Sequence, residues 1–142
     1  MNQIDLNGHV AIVTGGAGRL GREYAATLAA AGARVAIFDL PAAVEALPAL
    51  PGVSAYGVDI VSRDAVVAAV GAVTSDLGTP SILVNNAGLG SSPVGAALEN
   101  GPFEEYPEAA WDAMVDSHLK GAFFVTQAFL RAVRGASGAT GG

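Results

Sequence analysis

Twelve residues near the amino terminus, Val10 to Gly21, constrain the fold more than any other stretch. A run of β-formers, Val10 to Val13, breaks into Thr14, Gly15 and Gly16, and a helical pattern begins at Arg19. Gly16, Gly18 and Gly21 fit G-x-G-x-x-G between a strand and a helix, the context that gives this spacing its meaning. Glycine is needed there for the tight turn, for backbone close to a pyrophosphate, and for a helix packed tightly on a strand. The helix start also presents unpaired N–H groups and positive dipole to an anion. An ordinary Gly-rich turn is the competing reading, and the strand and helix on either side weigh against it.

Strand and helix signals alternate along the rest of the chain. Helix one spans Arg19 to Ala31, with Leu20, Tyr24, Leu28 and Ala31 as its inward stripe and Gly32 as its stop. Arg34 to Phe38 is a second apolar strand ending at Asp39, eighteen residues after Gly21. An acid at about this spacing binds an adenosine ribose in such units, although an Asp at a strand end is also a common N-cap. Pro41 to Leu50 reads as a short, weak helix, and Val53 to Val58 as a third strand closing at Asp59. Ser62 caps a helix whose Val66, Val70 and Val73 face inward, and Ser81 to Val84 is a fourth strand running into Asn85-Asn86-Ala87-Gly88. This βαβ spacing predicts a parallel sheet with right-handed crossovers. Leu89 to Pro107 is a polar loop long enough to suggest a task of its own. Glu108 to Arg134 reads as one helix presenting Trp111, Val115, Leu119, Ala122, Phe123, Thr126, Phe129 and Leu130, with Gly121 a weak spot. The domain thus spans 1–134, and the Gly-rich residues 135–142 form a flexible tail.

Composition narrows the function classes. A net charge of −6 argues against a nucleic-acid surface, which needs clustered Lys and Arg. The absence of cysteine removes thiolate metal sites, and no metal ligands are expected. No apolar run is long enough for a bilayer and no signal peptide opens the chain, so a cytoplasmic protein is expected.

Thr14-Gly15, Asp39, Asp59, Asn85 to Gly88 and the Trp111 helix, in this order, resemble the short-chain dehydrogenase/reductase family. The resemblance implies a Rossmann-type doubly wound α/β fold with a parallel sheet. It implies that Thr14, Gly15, Gly16, Gly18, Arg19, Leu20 and Gly21 hold the pyrophosphate of a dinucleotide. It also implies that Asp39 binds the adenosine ribose, that Asp59 and Ile60 flank the adenine, and that Asn86, Ala87 and Gly88 stiffen the sheet beside the cofactor. Asn85-Asn86 read without the family is simply a turn after a strand. Asp39 would repel a 2′-phosphate, whereas Arg19, with Arg22, would attract one. Asp39 lies nearer the discriminating hydroxyl, so NAD is expected over NADP.

Three departures shape the functional expectation. His118 stands where the family commonly has an asparagine that supports a proton-relay water. It is the one candidate catalytic residue, set against a plain helix histidine with a satisfied ring. The family's acid/base tyrosine has a lysine four residues later that lowers its pKa, help that a phenol near pKa 10 needs at neutral pH. Here Tyr24, Tyr56 and Tyr106 are followed at that distance by Leu28, Ile60 and Ala110, and Lys120 is the only lysine. The sheet is expected to be truncated after its fourth strand and following helix, before the strand that carries the family's serine. The expected protein is a piece of an NAD(P)-dependent oxidoreductase for an alcohol/ketone or 3-oxoacyl small molecule, homo-oligomeric when intact. This piece would carry the cofactor-binding part and no turnover. The alternatives are a non-catalytic dinucleotide-binding module completed by a partner chain, and an adenosyl-methionine-dependent methyltransferase, which leaves Asn85 to Gly88 unexplained.

Overall fold

Val10, Ile12 and Val13 are among the largest fully buried side chains, because the strand they form is covered on both faces. The computed structural model describes residues 4–90 and 101–139. Its four strands, β1 (Val10–Thr14), β2 (Arg34–Asp39), β3 (Val53–Gly57) and β4 (Ile82–Val84), form one sheet in the order β3-β2-β1-β4. All pairings are parallel, with Val10 opposite Arg34, Val35 opposite Val53 and Ala11 opposite Ile82. The strand period of two sorts the core into two layers. Val10, Ile12, Ala36 and Phe38 pack with Val66, Val70, Val73 and Val125 on one face. Ala11, Val13, Val35 and Ile37 pack with Ala25 on the other. This is the α/β doubly wound architecture that the alternating signals predict.

The helices are α1 (Arg19–Ala30), α2 (Pro41–Glu45), α3 (Arg63–Asp76), α4 (Glu108–Val115) and α5 (Gly121–Ala139). Ser62 caps α3 as expected, its hydroxyl accepting the Ala65 N–H at 3.4 Å. Gly32 (φ +101°) ends α1 in the left-handed conformation that suits glycine.

Two helix faces differ from the sequence reading. In α1 the buried residues are Gly21 and Ala25, while Leu20 and Tyr24 are exposed at 61% and 43%. The glycine turn starts this helix so close to β1 that only the smallest side chains fit beneath it. The long helix likewise buries Ala110, Ser117, Gly121, Val125 and Ala128, and exposes Trp111, Leu119, Phe123 and Leu130. Gly121 is no weak spot: a Cβ there would lie 2.5 Å from Ile60 Cδ1. A wider π turn, Asp116–Lys120, separates α4 from α5 and rotates everything beyond it relative to a uniform 3.6-residue period. The helix also continues past Arg134 to Ala139, since Gly135 and Gly138 cost about 1 kcal/mol each in helix propensity but no proline stops it. Of the polar loop, residues 91–100 lie outside the described residues, and Phe103–Glu105 forms a single 3-10 turn.

Arg63, at the start of α3, ties that helix to α5. Its guanidinium sits 4.4 Å from the Phe124 ring centroid and donates to Gln127 Oε1. Tyr56 does the same for β3 and the end of α3. Its ring meets Phe38 edge-on and its hydroxyl donates to Asp76 at 3.1 Å. Burial, then the Asp76 carboxylate, push the Tyr56 pKa up to about 12. A raised phenol pKa favours the neutral form in the folded state. That contribution is complete below pH 10 and is lost as the pH rises from 10 through 12. Tyr56→Phe is expected to cost about 1 kcal/mol or less at neutral pH, the bond being near the surface. Urea midpoints at pH 8 and 11 check this: the wild-type chain should lose its advantage over the variant at the higher value.

Candidate functional site

The C-terminal ends of the strands converge on a groove of about 760 Å³, within the range of small-molecule sites. Its floor is held by Thr14, the last residue of β1 and 1% exposed. The Thr14 hydroxyl accepts the N–H groups of Asn86 at 3.1 Å and Ala87 at 3.0 Å, and it faces Val84 O at 3.5 Å. Asn86 Nδ2 returns the contact, donating to Thr14 O at 3.1 Å and Gly15 O at 3.3 Å. The ends of β1 and β4 are therefore locked to each other through four backbone groups, the N–H of Asn86 and Ala87 and the C=O of Thr14 and Gly15.

The glycines have separable tasks. Gly15 adopts φ +64°, and a Cβ there would stand 2.9 Å from Ala87 Cα. At Gly16 a Cβ would strike Ile37 Cβ at 2.3 Å, and at Gly21 it would strike Gly15 O at 2.1 Å. These three are demanded by the fold itself. Gly18 is different: φ is −71° and the nearest protein atom to its Cβ would be Gly15 O at 3.3 Å. That contact is tight, but a shift of a few tenths of an ångström relieves it, so the fold asks less of this position than of the other three, and a side chain there would stand at the start of α1, beside the groove. No side chain caps α1, which leaves its first N–H groups free for an anion.

The Asp39 carboxylate accepts the Ala17 N–H at 2.9 Å through Oδ2 and the Leu40 N–H at 2.8 Å through Oδ1. It is thereby fixed at the rim beside the glycine turn, with lone pairs left for hydroxyl donors. Asp59 Oδ1 accepts the Val61 N–H at 3.1 Å, which turns the chain after β3. Leu40, Val58, Ile60 and Val61 add an apolar wall at this end, Leu40 remaining 51% exposed. The residues expected from the sequence thus assemble in one place. Gly15, Gly18, Arg19, Leu20, Gly21, Asp39, Asp59, Ile60, Asn86, Ala87 and Gly88 line the groove, and Thr14 and Gly16 support it from below.

His118 stands apart from this lining, although its neighbours Asp116 and Ser117 belong to it. The Asp116 carboxylate is paired with Lys120 one turn on. Sequence reasoning missed Leu40, Val58 and Val61, which their place after strands β2 and β3 could have revealed. It also missed Leu89, which follows β4, and Ala113, Asp116 and Ser117, which share one helix face and carry no signal of their own. None of the three tyrosines lines the groove. Among the described residues no His, Asp and Glu side chains gather to hold a metal ion, and no helix is long and apolar enough to cross a membrane.

A sequence profile described as short chain dehydrogenase matches residues 9–140. The D-threitol dehydrogenase of Mycolicibacterium smegmatis is 37% identical over 129 residues, which cover 87% of this chain and 46% of that protein. The hydroxyacyl-CoA dehydrogenase ChsB1 of Mycobacterium tuberculosis is 35% identical over 136 residues, covering 89% of this chain and 40% of that protein. A solved structure described as a short-chain alcohol dehydrogenase of Sinorhizobium meliloti superposes with a TM-score of 0.74 at 33% identity, over 92% of this chain and 51% of the other. The chain spans about half the length of the relatives it matches.

Proposed function

Because the chain belongs to the short-chain dehydrogenase family, we propose that its groove binds NAD and that it supplies the cofactor-binding part of an alcohol/ketone or 3-oxoacyl oxidoreductase. The observation that carries this reading is Gly18. The fold demands glycine less strictly there than at Gly15, Gly16 or Gly21, and Gly18 lines the groove beside uncapped helix N–H groups, where a pyrophosphate needs close backbone approach. The free N–H groups of α1 would hold the phosphates, and Asp39, fixed by two backbone donors, would accept the ribose hydroxyls. The apolar wall of Leu40, Val58, Ile60 and Val61 suits the face of a purine. Asp39 favours NAD over NADP because its charge opposes a 2′-phosphate. Arg19, the first residue of α1, lines the same groove and offers a cation to the pyrophosphate of either dinucleotide.

When bound, a nicotinamide supplies or accepts the hydride. The groove of this chain offers no tyrosine–lysine pair to move the accompanying proton. Cofactor binding without turnover by this chain alone is the reading that follows, and it accommodates a non-catalytic module completed by a partner. Calorimetry with NADH and NADPH tests it. NADH should bind at least about tenfold more tightly than NADPH, a difference of about 1.4 kcal/mol. Gly18→Ala should weaken NADH by about tenfold or more while the thermal midpoint stays within a few degrees. A folded chain that ignores both dinucleotides, or a Gly18→Ala variant that binds as well as wild type, would overturn the proposal. Asp39→Ala is the less clean control, since it also strips acceptors from Ala17 and Leu40.

A further inference from the structure

At the β4 end of the groove both backbone polar groups of one residue, Leu89, are held by consecutive helix residues. The Ser117 hydroxyl accepts the Leu89 N–H at 3.4 Å and itself donates to Met114 O at 3.1 Å. His118, the next residue, places Nε2 at 3.0 Å from Leu89 O. A carbonyl oxygen only accepts, so Nε2 carries the proton and donates. Adjacent side chains on a uniform α-helix diverge by about 100°. Both nevertheless reach Leu89 from within the wider turn at Asp116–Lys120, a local distortion frequent at functional sites.

The ring of His118 lies directly over Gly88. A Cβ at that position would be 2.2 Å from His118 Cε1 and 2.5 Å from Nδ1. Gly88 and Leu89 line the groove together with Ser117, and His118 stands behind them. Gly88 is thus matched to the imidazole on its far side, a demand separate from any ligand in front of it.

We infer that His118 is a positioning residue: with Ser117 it fixes the backbone of Leu89 at its C=O and N–H, and Gly88 is glycine to admit its ring. The helix turn thereby sets the shape of the groove at the end remote from Asp39. Only the affinity readout below rests on the groove being an NADH site.

The test uses the full chain and five variants. In the free protein, the carbon resonance of the Leu89 carbonyl should shift in His118→Phe and His118→Ala, which lack the donor. His118→Gln, which retains one, should restore most of the wild-type position. NADH binding should weaken about fivefold in the donor-less variants and recover in His118→Gln, the effect of one net hydrogen bond. Gly88→Ala should displace the ring and reproduce the His118→Ala spectrum, and the Gly88→Ala/His118→Ala double variant should be no worse than either single. A Leu89 carbonyl unmoved in both donor-less variants would overturn the inference. So would additive losses for Gly88→Ala and His118→Ala, which would give the glycine an independent role. If the wild-type chain fails to bind NADH, the cofactor reading falls, while the carbonyl resonance still decides this one.

Discussion

Gly21→Ala should strongly destabilise this protein, although the position is inside a helix where alanine is normally the better residue. Helix propensity alone predicts a gain of about 1 kcal/mol. Against it, the added Cβ would lie 2.1 Å from Gly15 O, 2.7 Å from Gly16 Cα and 2.8 Å from Gly15 C. All three are backbone atoms of the turn below, so no rotamer change relieves the contact. Either α1 must lift from β1, exposing Ala25 and the layer beneath it, or the turn must deform. Overpacking of well-ordered sites costs about 1–3 kcal/mol, and a clash with immovable backbone belongs at or above the top of that range. Stability of a small domain is only about 5–15 kcal/mol, so the loss is large. Gly71, on the exposed side of α3, has nothing within 4 Å of its Cβ position. Gly71→Ala should therefore stabilise, by about 0.5–1 kcal/mol. Urea denaturation followed by circular dichroism measures both. Equal midpoint shifts of the same sign would show that α1 sits farther from β1 than described.

Thr14→Val should be nearly as damaging, for a reason of polarity. The substitution keeps the shape of a β-branched residue and removes only the hydroxyl. That hydroxyl accepts two N–H groups, from Asn86 and Ala87, in a position 1% exposed. Each buried donor left without a partner costs about 1–3 kcal/mol, so the two together cost about 2–6 kcal/mol. Thr14→Ser, which keeps the hydroxyl and loses one methyl, should cost about 1 kcal/mol. The two variants compared in urea separate the hydroxyl from the packing: similar midpoints would mean that the hydroxyl bonds contribute little.

The strands, their order along the chain and the glycine turn were legible in the sequence because their signals are local. Four apolar runs bounded by turn residues, and glycines at fixed offsets, report on backbone within a dozen residues. Asp39 was legible for the same reason, through its distance from Gly21. The inward faces of α1 and of the long helix were not. A stripe rule assigns large apolar residues such as Leu20, Tyr24, Trp111 and Phe123 to the interior. Here close approach selects Gly21, Ala25, Gly121 and Ala128, and leaves the large residues outside. The π turn at Asp116–Lys120 compounds this by changing the helix phase, which no composition betrays. The His118–Leu89 bond joins residues 29 apart, beyond the reach of a local pattern.

The lock between Thr14 and Asn86 has a consequence for assembly. The two residues are 72 apart, whereas β1, β2 and β3 follow one another within the first 57 residues. As the chain emerges from its amino terminus, one flank of β1 can pair early and the other stays bare until β4 arrives. Contacts between segments so distant in sequence form slowly, because the intervening loop must be closed first. Thr14, although it lies in the first strand made, has no partner for its hydroxyl until almost two-thirds of the chain exists. The groove is therefore late to appear, and a molecule that occupies it stabilises only the finished sheet, not its forerunners.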